Sequence, residues 1–369
     1  MNFEPIPWPS KRIAPVPSWE PPAGVRLISG DDHNMEAPNL WVDRMPAKFK
    51  DRAPLSWVDE KGGHISLKGR VLDTPGTTAD LFAGCKGFFS AEEKIKVMDA
   101  ERIEASVLFH GKLQALNMLI SEDNELYTAC IDAYNEWLAE FTRPYAKRLV
   151  GVAVLPTFLN PAASRDYMQK IVQLGYKALQ MPSFPKGVRY NSMEMEPVWT
   201  AIEESGLPLS FHVGAYLEFK GNGATGANIA RNLSPFRPLL GQLVFAGVFD
   251  RHPNLKVVFT EGGAGWVPHA LQDMDKLCRN YEASLKPKLG FLPSYYWQRQ
   301  CYASFMDDPL GLKLIDYIGE DNVIWSTDYP HAEGVFGYAG EVARNIYETL
   351  GPTAGKKVLG GNAARLWKI

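Results

Sequence analysis

The feature that most constrains this chain is a regular alternation of short apolar runs with longer segments of helical periodicity. The apolar runs are continuous rather than alternating, which is typical of strands that are buried on both faces. Eight such strands are predicted, at residues 25–31, 105–110, 149–156, 176–181, 207–213, 255–261, 301–305 and 322–328. Helices are predicted near residues 91–102, 122–142, 160–175, 194–205, 235–250, 265–284, 309–318, 339–350 and 353–366. The alternation predicts an α/β protein with a parallel sheet.

Eight strand–helix units favour a closed (β/α)8 barrel, the TIM barrel fold. An open doubly wound sheet is the alternative, but that fold calls for a GxGxxG turn after an early strand. The sequence GDDHNM, which follows the first apolar run, lacks this spacing. We therefore divide the chain into a Pro-rich N-terminal arm at 1–24 and a barrel at 25–369. The polar stretch at 34–90 is then an insertion after the first strand that serves as a lid.

The overall charge and the cysteine pattern exclude several classes of protein. The formal net charge of −3 supplies no basic field for nucleic acid. The N-terminal arm contains many prolines and no continuous apolar core, so it fits neither a secretion signal nor a membrane anchor. The four cysteines are widely scattered without a CxxC pair, which is typical of reduced thiols. We expect a cytoplasmic protein that binds a small molecule and neither nucleic acid nor membrane.

Polar side chains stand at the ends of several predicted strands. Asp31 and His33 close the first strand, His212 closes the fifth and Asp328 closes the eighth. In a parallel barrel these strand ends meet on one face, where catalytic groups gather. Asp31 and His33 are two residues apart and point to the same side of an extended chain, whereas Asp32 points away. Two imidazoles and two carboxylates brought together predict a site for one divalent cation such as Zn²⁺.

Several longer segments carry a resemblance to a known group of enzymes. They are SGDDHNMEAP, FHVG, GVFDRHPNLKVVFTEGGAGWVPH, WSTDYPH and LGGNAARLW. With these segments the chain resembles the amidohydrolase-related metal enzymes of the aminocarboxymuconate-semialdehyde decarboxylase type, from about residue 25 to the C-terminus. The resemblance implies a TIM barrel with one divalent metal, commonly Zn²⁺ and sometimes Mn²⁺. Together with the Pro-rich arm, it also leads us to expect a homodimer.

The resemblance also implies roles for individual residues. The positions that correspond to the metal ligands of these enzymes are Asp31, His33, His212 and Asp328. The aspartate on the eighth strand can also accept a proton from a bound water. The sixth-strand position normally holds a histidine that handles protons, but here it is Glu261. We expect Asp328, Glu261 and His331 to be catalytic, with a structural ion pair to Arg299 as the alternative for Glu261.

Four further residues are expected around the metal or in the substrate pocket. Glu36 could orient a metal-bound histidine, as outer carboxylates commonly do. His110 stands at the end of the second strand. Tyr216 and Arg231 lie in the stretch 214–234, which is rich in Gly and Asn and is expected to form part of a mobile lid. An aromatic ring on the substrate would contact the tyrosine, and a substrate carboxylate would pair with the arginine.

Three functions stay open at this point. The first is a metal-dependent hydrolase that acts on a small aromatic or carboxylate-bearing substrate through a metal-activated water. The second is a non-oxidative, metal-dependent decarboxylase of a hydroxylated aromatic or related carboxylic acid. The third is a barrel without catalytic activity, because a fold does not dictate a function. Glu261 stands where the resembling decarboxylases have a histidine, and this difference favours the hydrolase.

Overall fold

The structure is a computed structural model with eleven described strands. It describes residues 19–59, 62–67, 70–73, 85–111, 113, 123–156, 163–183, 185, 188–214, 220–232 and 235–369. In chain order the strands are β1 (Ile28–Asn34), β2 (Leu55–Asp59), β3 (Gly62–Leu67), β4 (Arg70–Asp73), β5 (Ala105–His110), β6 (Leu149–Val154), β7 (Ala178–Pro182), β8 (Leu209–His212), β9 (Val257–Thr260), β10 (Cys301–Phe305) and β11 (Val323–Trp325).

Eight of these strands form one parallel sheet in the order β1-β5-β6-β7-β8-β9-β10-β11. The two outer strands of that order lie side by side, so the sheet curves into a barrel. Two backbone hydrogen bonds join their carboxyl ends: Asp328 N donates to Asp31 O at 2.8 Å, and His33 N donates to Tyr329 O at 2.7 Å. The predicted (β/α)8 barrel is therefore confirmed.

Helices cover the outside of the barrel. They are α1 (Leu40–Arg44), α2 (Ala91–Ala100), α3 (Asn124–Thr142), α4 (Ser164–Gln173), α5 (Glu196–Ser205), α6 (Ala224–Asn232), α7 (Phe236–Phe245), α8 (Val248–Arg251), α9 (Val267–Asn280), α10 (Pro293–Gln300), α11 (Pro309–Lys313), α12 (Ile315–Ile318), α13 (Ala339–Lys356) and α14 (Asn362–Trp367). None of the helices that the structure describes is long and apolar enough to cross a bilayer.

Some predicted boundaries are wrong, and backbone geometry explains the differences. The helix predicted at 235–250 is divided into α7 and α8 by Gly247, whose φ of 71° leaves the helical region. The break predicted between residues 350 and 353 is confirmed, because Gly351, with a φ of 75° and a ψ of 172°, leaves the helical region and divides α13 into two helical parts. The eighth strand ends at Trp325, three residues before its predicted end, because the chain turns out of the sheet ahead of Asp328. The helix predicted from residue 160 begins in a part of the chain that lies outside the described residues.

Two apolar layers hold the barrel together. The smaller layer fills the barrel interior with side chains such as Ile28, Val107, Val152 and Ile324. The larger layer lies between the strands and the surrounding helices and includes Trp199 and many other large side chains. Because the strands are buried on both faces, their sequences read as continuous apolar runs.

The stretch after β1 has structure of its own. It contains α1 and a separate antiparallel sheet of β2, β3 and β4. The chain then returns to the barrel, where Met35 N donates to Phe88 O at 2.7 Å. Ser90 caps α2, since its side chain accepts a hydrogen bond from Glu93 N. The division of the chain into an arm, a barrel and an insertion stays a prediction, and residues 1–18 lie outside the described part.

Candidate metal centre and active site

The first strand places two polar side chains toward the barrel axis. The structure puts both Asp31 and His33 within β1, because the strand extends to Asn34, three residues beyond its predicted end. Both side chains are buried. His33 Nδ1 lies 2.9 Å from the backbone carbonyl of His110, to which it donates. This bond directs Nε2, with its lone pair, toward the centre of the barrel.

His212, at the end of β8, is oriented in the same way. Its Nδ1 lies 2.7 Å from the carbonyl oxygen of Val213, so Nε2 faces the barrel axis. There it approaches Asp31 Oδ1 at 3.4 Å and Glu261 Oε2 at 3.1 Å. Both buried histidines thus present the nitrogen that a metal ion would bind, and a backbone carbonyl fixes each ring.

Two acidic residues complete the centre from unusual backbone conformations. Glu261, just after β9, has a φ of 69°, and Asp328, three residues after β11, has a φ of 51°. Positive φ is uncommon for residues other than glycine and is found disproportionately at functional sites. Gly334 packs against the second turn, where a Cβ atom would lie 2.6 Å from the carbonyl oxygens of Asp328 and Thr327. The fold therefore holds both carboxylates in place at a local energetic cost.

Six side chains form what we call the inner cluster: Asp31, His33, His212, Glu261, Asp328 and His331. His33 Nε2 lies 3.6 Å from Asp31 Oδ1 and 3.3 Å from Asp328 Oδ1. His331 Nδ1 lies 2.9 Å from the same oxygen of Asp328 and 3.7 Å from Glu261 Oε1. The sequence expectation that the strand tips converge holds in the structure.

These distances fit a shared divalent ion. Donor atoms that bind one ion at about 2.1 Å lie roughly 3.0–3.4 Å from each other in tetrahedral or octahedral geometry. In addition, Asp31 Oδ2 and Asp328 Oδ2 are buried and have no hydrogen-bond partner in the described chain. Buried carboxylate oxygens are rarely left in this state without a ligand or ion. The residues present thus suit a divalent metal. Their donor atoms form two overlapping groups, one of Asp31, His33, His212 and Glu261 and one of His33, Glu261, Asp328 and His331. The predicted ligand set of Asp31, His33, His212 and Asp328 draws on both groups and stays a prediction.

The electrostatics of the inner cluster also favour a bound cation. Burial raises the pKa of Asp31 to about 6, although the two nearby histidines oppose this effect. Burial alone would lower the pKa of His212, but the carboxylates of Asp31 and Glu261 raise it to about 9. In the same way Asp328 and Glu261 raise the pKa of His331 well above its ordinary value, against the effect of burial. The carboxylates therefore draw positive charge into the cluster, as protons or as a metal ion.

Asp328 shows the same balance from the acidic side. Burial by itself would raise its pKa, but the His331 and His33 imidazoles outweigh burial and hold the pKa below its ordinary value. At His110 the two effects act in the same direction, because burial and the neighbouring histidines both lower its pKa well below the ordinary value. At neutral pH Asp328 is thus a carboxylate and His110 is an uncharged imidazole.

The residues predicted around the metal fall into different places. His110 contributes its carbonyl to His33, and its ring Nε2 lies 3.1 Å from the side-chain nitrogen of Gln180. Glu36 is buried and accepts a hydrogen bond from Leu113 N, so the orienting contact that we expected from it is made by His110.

The structure describes only some of the other residues that were predicted to lie in the pocket or to pair with Glu261. Arg231 lies half-buried on α6, and Tyr216 falls outside the described residues. Arg299 binds the carbonyl of Phe249 and the side chain of Gln300, so the alternative ion pair with Glu261 is wrong.

A second group of polar residues, which the sequence reasoning missed, lies on the outer side of β1. We call it the outer hub. It consists of Asp32 and the five groups that contact its carboxylate: the side chains of Ser29, Lys94, Ser106 and Thr327 and the backbone N of Tyr329. Asp32 points away from the inner cluster, as expected from the alternation of a strand. One signal for it was available: Lys94 lies on the buried side of α2, one turn before the buried Met98.

Comparison with known proteins adds independent information. The model of the amidohydrolase family matches residues 83–369, which is more than half of the chain. This chain belongs to the amidohydrolase family. A decarboxylase of 2-amino-3-carboxymuconate-6-semialdehyde from Dictyostelium discoideum is 27% identical over 240 residues, which cover 62% of this chain and 64% of that relative. A gamma-resorcylate decarboxylase from Polaromonas sp. is 24% identical over 303 residues, which cover 75% of this chain and 87% of the relative.

Solved structures of amidohydrolase-fold proteins superpose on this chain. An amidohydrolase from Mycobacterium avium subsp. paratuberculosis matches with a TM-score of 0.76 and 20% identity and covers 93% of this chain and 99% of its own. A 5-carboxyvanillate decarboxylase from Novosphingobium aromaticivorans, complexed with manganese, matches with a TM-score of 0.71 and 18% identity and covers 97% and 100%. At these identities the structures establish the shared fold.

These findings confirm several predictions for this amidohydrolase. The predicted family is correct, and so is the expectation of an enzyme of the hydrolase or decarboxylase kind. The expectation of a divalent metal is also supported, since the inner cluster suits such an ion. The choice of Zn²⁺ and the roles of individual residues stay predictions.

Proposed function

We propose that this amidohydrolase is a metal-dependent, non-oxidative decarboxylase of a hydroxylated aromatic or related carboxylic acid. This choice reverses the order favoured by the sequence, because the named relatives are decarboxylases. The observation that carries it is the arrangement of the inner cluster. The four proposed ligands lie in two overlapping groups of donor atoms, and Glu261, which belongs to both groups, lies 3.7 Å from the imidazole of His331.

In this proposal each residue has a stated task. A divalent ion held by Asp31, His33, His212 and Asp328 would supply a Lewis acid that binds the substrate carboxylate and an adjacent oxygen. Its positive charge is matched by the negative charge of the two aspartates. The buried setting excludes water and strengthens the interaction with an anionic substrate.

The proton for the substrate carbon comes from the protein. Glu261 receives a proton from the His331 imidazolium and passes it from a carboxyl oxygen to the carbon that carries the carboxylate. The bond between that carbon and the carboxylate then breaks, CO₂ leaves, and the electron pair of the bond returns to the ring. His331 Nδ1, 3.7 Å from Glu261 Oε1, is placed to restore the proton. The His331 side chain is 24% exposed, so it connects the buried acid with solvent.

Hydrolysis is the second candidate, and one observation favours it. Glu261 occupies the sixth-strand position where the resemblance leads us to expect a histidine. In a hydrolase, Asp328 would accept the proton of the attacking water and Glu261 would protonate the leaving group. A barrel without catalytic activity is the third reading, and it predicts no turnover, whether or not the protein binds a metal.

Isotope labelling separates these functions. The protein reconstituted with Mn²⁺ or Zn²⁺ is incubated with a panel of phenolic acids and, separately, with esters, lactones and amides. In D₂O, a decarboxylase releases CO₂ and places one deuterium on the vacated carbon of the product. In H₂¹⁸O, it adds no ¹⁸O to the organic product. Uptake of ¹⁸O into the product without release of CO₂ would overturn the proposal in favour of the hydrolase.

Two broader expectations belong to the same proposal. We expect a homodimer, which light scattering on the purified protein tests directly. We also expect the protein to work in the cytoplasm, where its four cysteines stay reduced. In the structure all four are free thiols, and Cys85, Cys130 and Cys301 are buried.

A further inference from the structure

The outer hub connects the two chain segments that carry three of the proposed metal ligands. Asp32 stands between Asp31 and His33 on β1. Its Oδ1 lies 2.5 Å from Thr327 Oγ1 and accepts a hydrogen bond from Tyr329 N at 2.9 Å. These two partners are the neighbours of Asp328. The Asp32 carboxylate therefore adds side-chain bonds between segment 31–33 and segment 327–329 to the two backbone hydrogen bonds that join them.

A buried lysine supplies the counter-charge for this carboxylate. Lys94 Nζ lies 2.7 Å from Asp32 Oδ2, and both side chains are 1% exposed. The ammonium also lies 4.1 Å from the ring centroid of Tyr329, a cation–π contact. Removing one partner of such a pair would leave the other charge buried and uncompensated. Because separating these two buried charges is costly, Asp32 and Lys94 stay in contact.

The lysine itself is fixed by the way the chain returns from the insertion. A Cβ atom on Gly87 would lie 2.9 Å from Lys94 Cα and 3.1 Å from Tyr329 Oη. This close approach lets the start of α2 pack directly under the segment that carries Asp328. The hydrogen bond from Met35 N to Phe88 O ties the same region to the end of β1.

We propose that Asp32 and Lys94 are positioning residues that hold segments 31–33 and 327–329 at the separation at which the inner cluster binds its divalent ion. Neither residue contacts the ion or the substrate. The inference depends on the metal site of the proposed function but not on the reaction. Changes to groups that orient metal ligands commonly cost about 10- to 100-fold in metal affinity, and we expect the same range here.

Two hydroxyl groups of the outer hub provide a matched test. Ser106 Oγ and Thr327 Oγ1 each lie 2.5 Å from the Asp32 carboxylate, and both side chains are buried. Only Thr327 lies beside a proposed ligand, whereas Ser106 belongs to β5, which carries none. The dissociation constants for Mn²⁺ and Zn²⁺ are measured by competition with a chromophoric chelator, without substrate. Thr327→Val should raise them about tenfold or more, and Ser106→Ala should change them much less.

Further variants separate positioning from general stability. Thr327→Ser keeps the hydroxyl and should restore metal affinity. Lys94→Met should weaken metal binding about tenfold or more, while Lys96→Met on the same helix should have no effect. Lys96 is the matched control because its side chain is 58% exposed and pairs only with Glu92 and Glu93 among the described residues. Thermal unfolding is recorded for each variant, and affinity is measured well below the transition.

The outcomes are distinct. Unchanged dissociation constants in folded Thr327→Val would overturn the inference, and so would equal losses in Thr327→Val and Ser106→Ala. If Lys94→Met does not fold, the threonine and serine variants decide alone. A wild-type protein that binds no metal would instead disprove the metal site of the proposed function.

Discussion

Two sets of buried carboxylates lie on opposite sides of the same strand, and they differ in one respect. Asp31 and Asp328 in the inner cluster, like Asp32 in the outer hub, are almost completely inaccessible to solvent. In the inner cluster Asp31 Oδ2 and Asp328 Oδ2 have no hydrogen-bond partner among the described residues. In the outer hub both oxygens of Asp32 are contacted, by five groups in total. The two sets therefore differ in whether their carboxylate oxygens have hydrogen-bond partners, and not in how deeply they are buried.

This difference has a physical meaning. A buried carboxylate whose oxygens are all bonded stabilises the fold, whereas an unsatisfied one costs free energy until a ligand arrives. We therefore read the outer hub as part of the framework and the inner cluster as a binding centre. Substitutions in the inner cluster should mainly remove metal and activity, and those in the outer hub should also lower stability.

The largest effect is expected from Asp328→Asn. This change removes a ligand charge and a proton acceptor, so metal content should fall below the expected one equivalent. Turnover should fall by about 100- to 10,000-fold, the range for a lost acid–base group. Elemental analysis and steady-state kinetics check both values. His269→Asn is the control, because its side chain is 68% exposed and contacts Arg237 and Asp273 rather than the inner cluster. A variant with full metal and normal turnover would contradict our reading of the inner cluster.

Glu261→Gln should have the next largest effect. The amide has nearly the same size but no transferable proton, so turnover should fall by about 100-fold or more. Metal content should stay close to that of the wild type. If the metal is lost as well, Glu261 is a ligand and another group delivers the proton.

The pH dependence of the metal-free protein gives a third comparison. His212 has its pKa raised to about 9, so its stabilising contribution is complete below its unfolded value of about 6.5. That contribution is lost as the pH rises through 9. By the same linkage, the raised pKa of Asp31 makes the stability fall as the pH rises from about 4 to 6. We expect the free energy of unfolding to decrease by on the order of 3 kcal/mol between pH 6.5 and 9.5.

Denaturant unfolding at several pH values tests this expectation. The decrease should be smaller in His212→Asn, which keeps only the contribution of His331. It should be smallest in the metal-loaded protein, because the metal replaces the protons. A metal-free wild type whose stability does not change over this pH range would contradict the proposed coupling between the inner carboxylates and His212.

The smallest effect is expected from Ser106→Ala in the outer hub. It removes one hydrogen bond to a charged, buried carboxylate, which should cost about 1.5–3 kcal/mol of unfolding free energy. Turnover at saturating metal should stay near that of the wild type, in contrast to the variants of the inner cluster. Unchanged stability would show that the satisfied side of β1 is not part of the framework.

The eight strands of the barrel and the six members of the inner cluster could be predicted from the sequence, whereas the sheet of β2, β3 and β4 and the helices α1, α6 and α10 were missed. Apolar periodicity marks buried strands, and the barrel fold brings the carboxyl ends of its parallel strands together. For this reason Asp31, His33, His212 and Asp328 could be expected to meet although they are nearly 300 positions apart in the chain.

The outer hub and the hydrogen bonds from Nδ1 of His33 and His212 to backbone carbonyls could not be predicted in the same way. The partner of His33 is a backbone carbonyl, which no side-chain pattern reveals. The buried pairing of Lys94 with Asp32 depends on the packing of α2 under β1, whereas lysine is nearly always exposed. The choice between decarboxylation and hydrolysis also depended on the relatives. From the sequence alone, Glu261 in place of a histidine favoured hydrolysis.

The left-handed backbone at Glu261 has a consequence for how this activity could diversify. Asn, Asp and His are several-fold enriched at positive φ, but glutamate is not among them. A change of Glu261 to histidine would therefore relieve the turn after β9 rather than strain it further. Acid and imidazole can exchange at this position while the surrounding loop keeps its shape, so related proteins have an open evolutionary route between two proton donors.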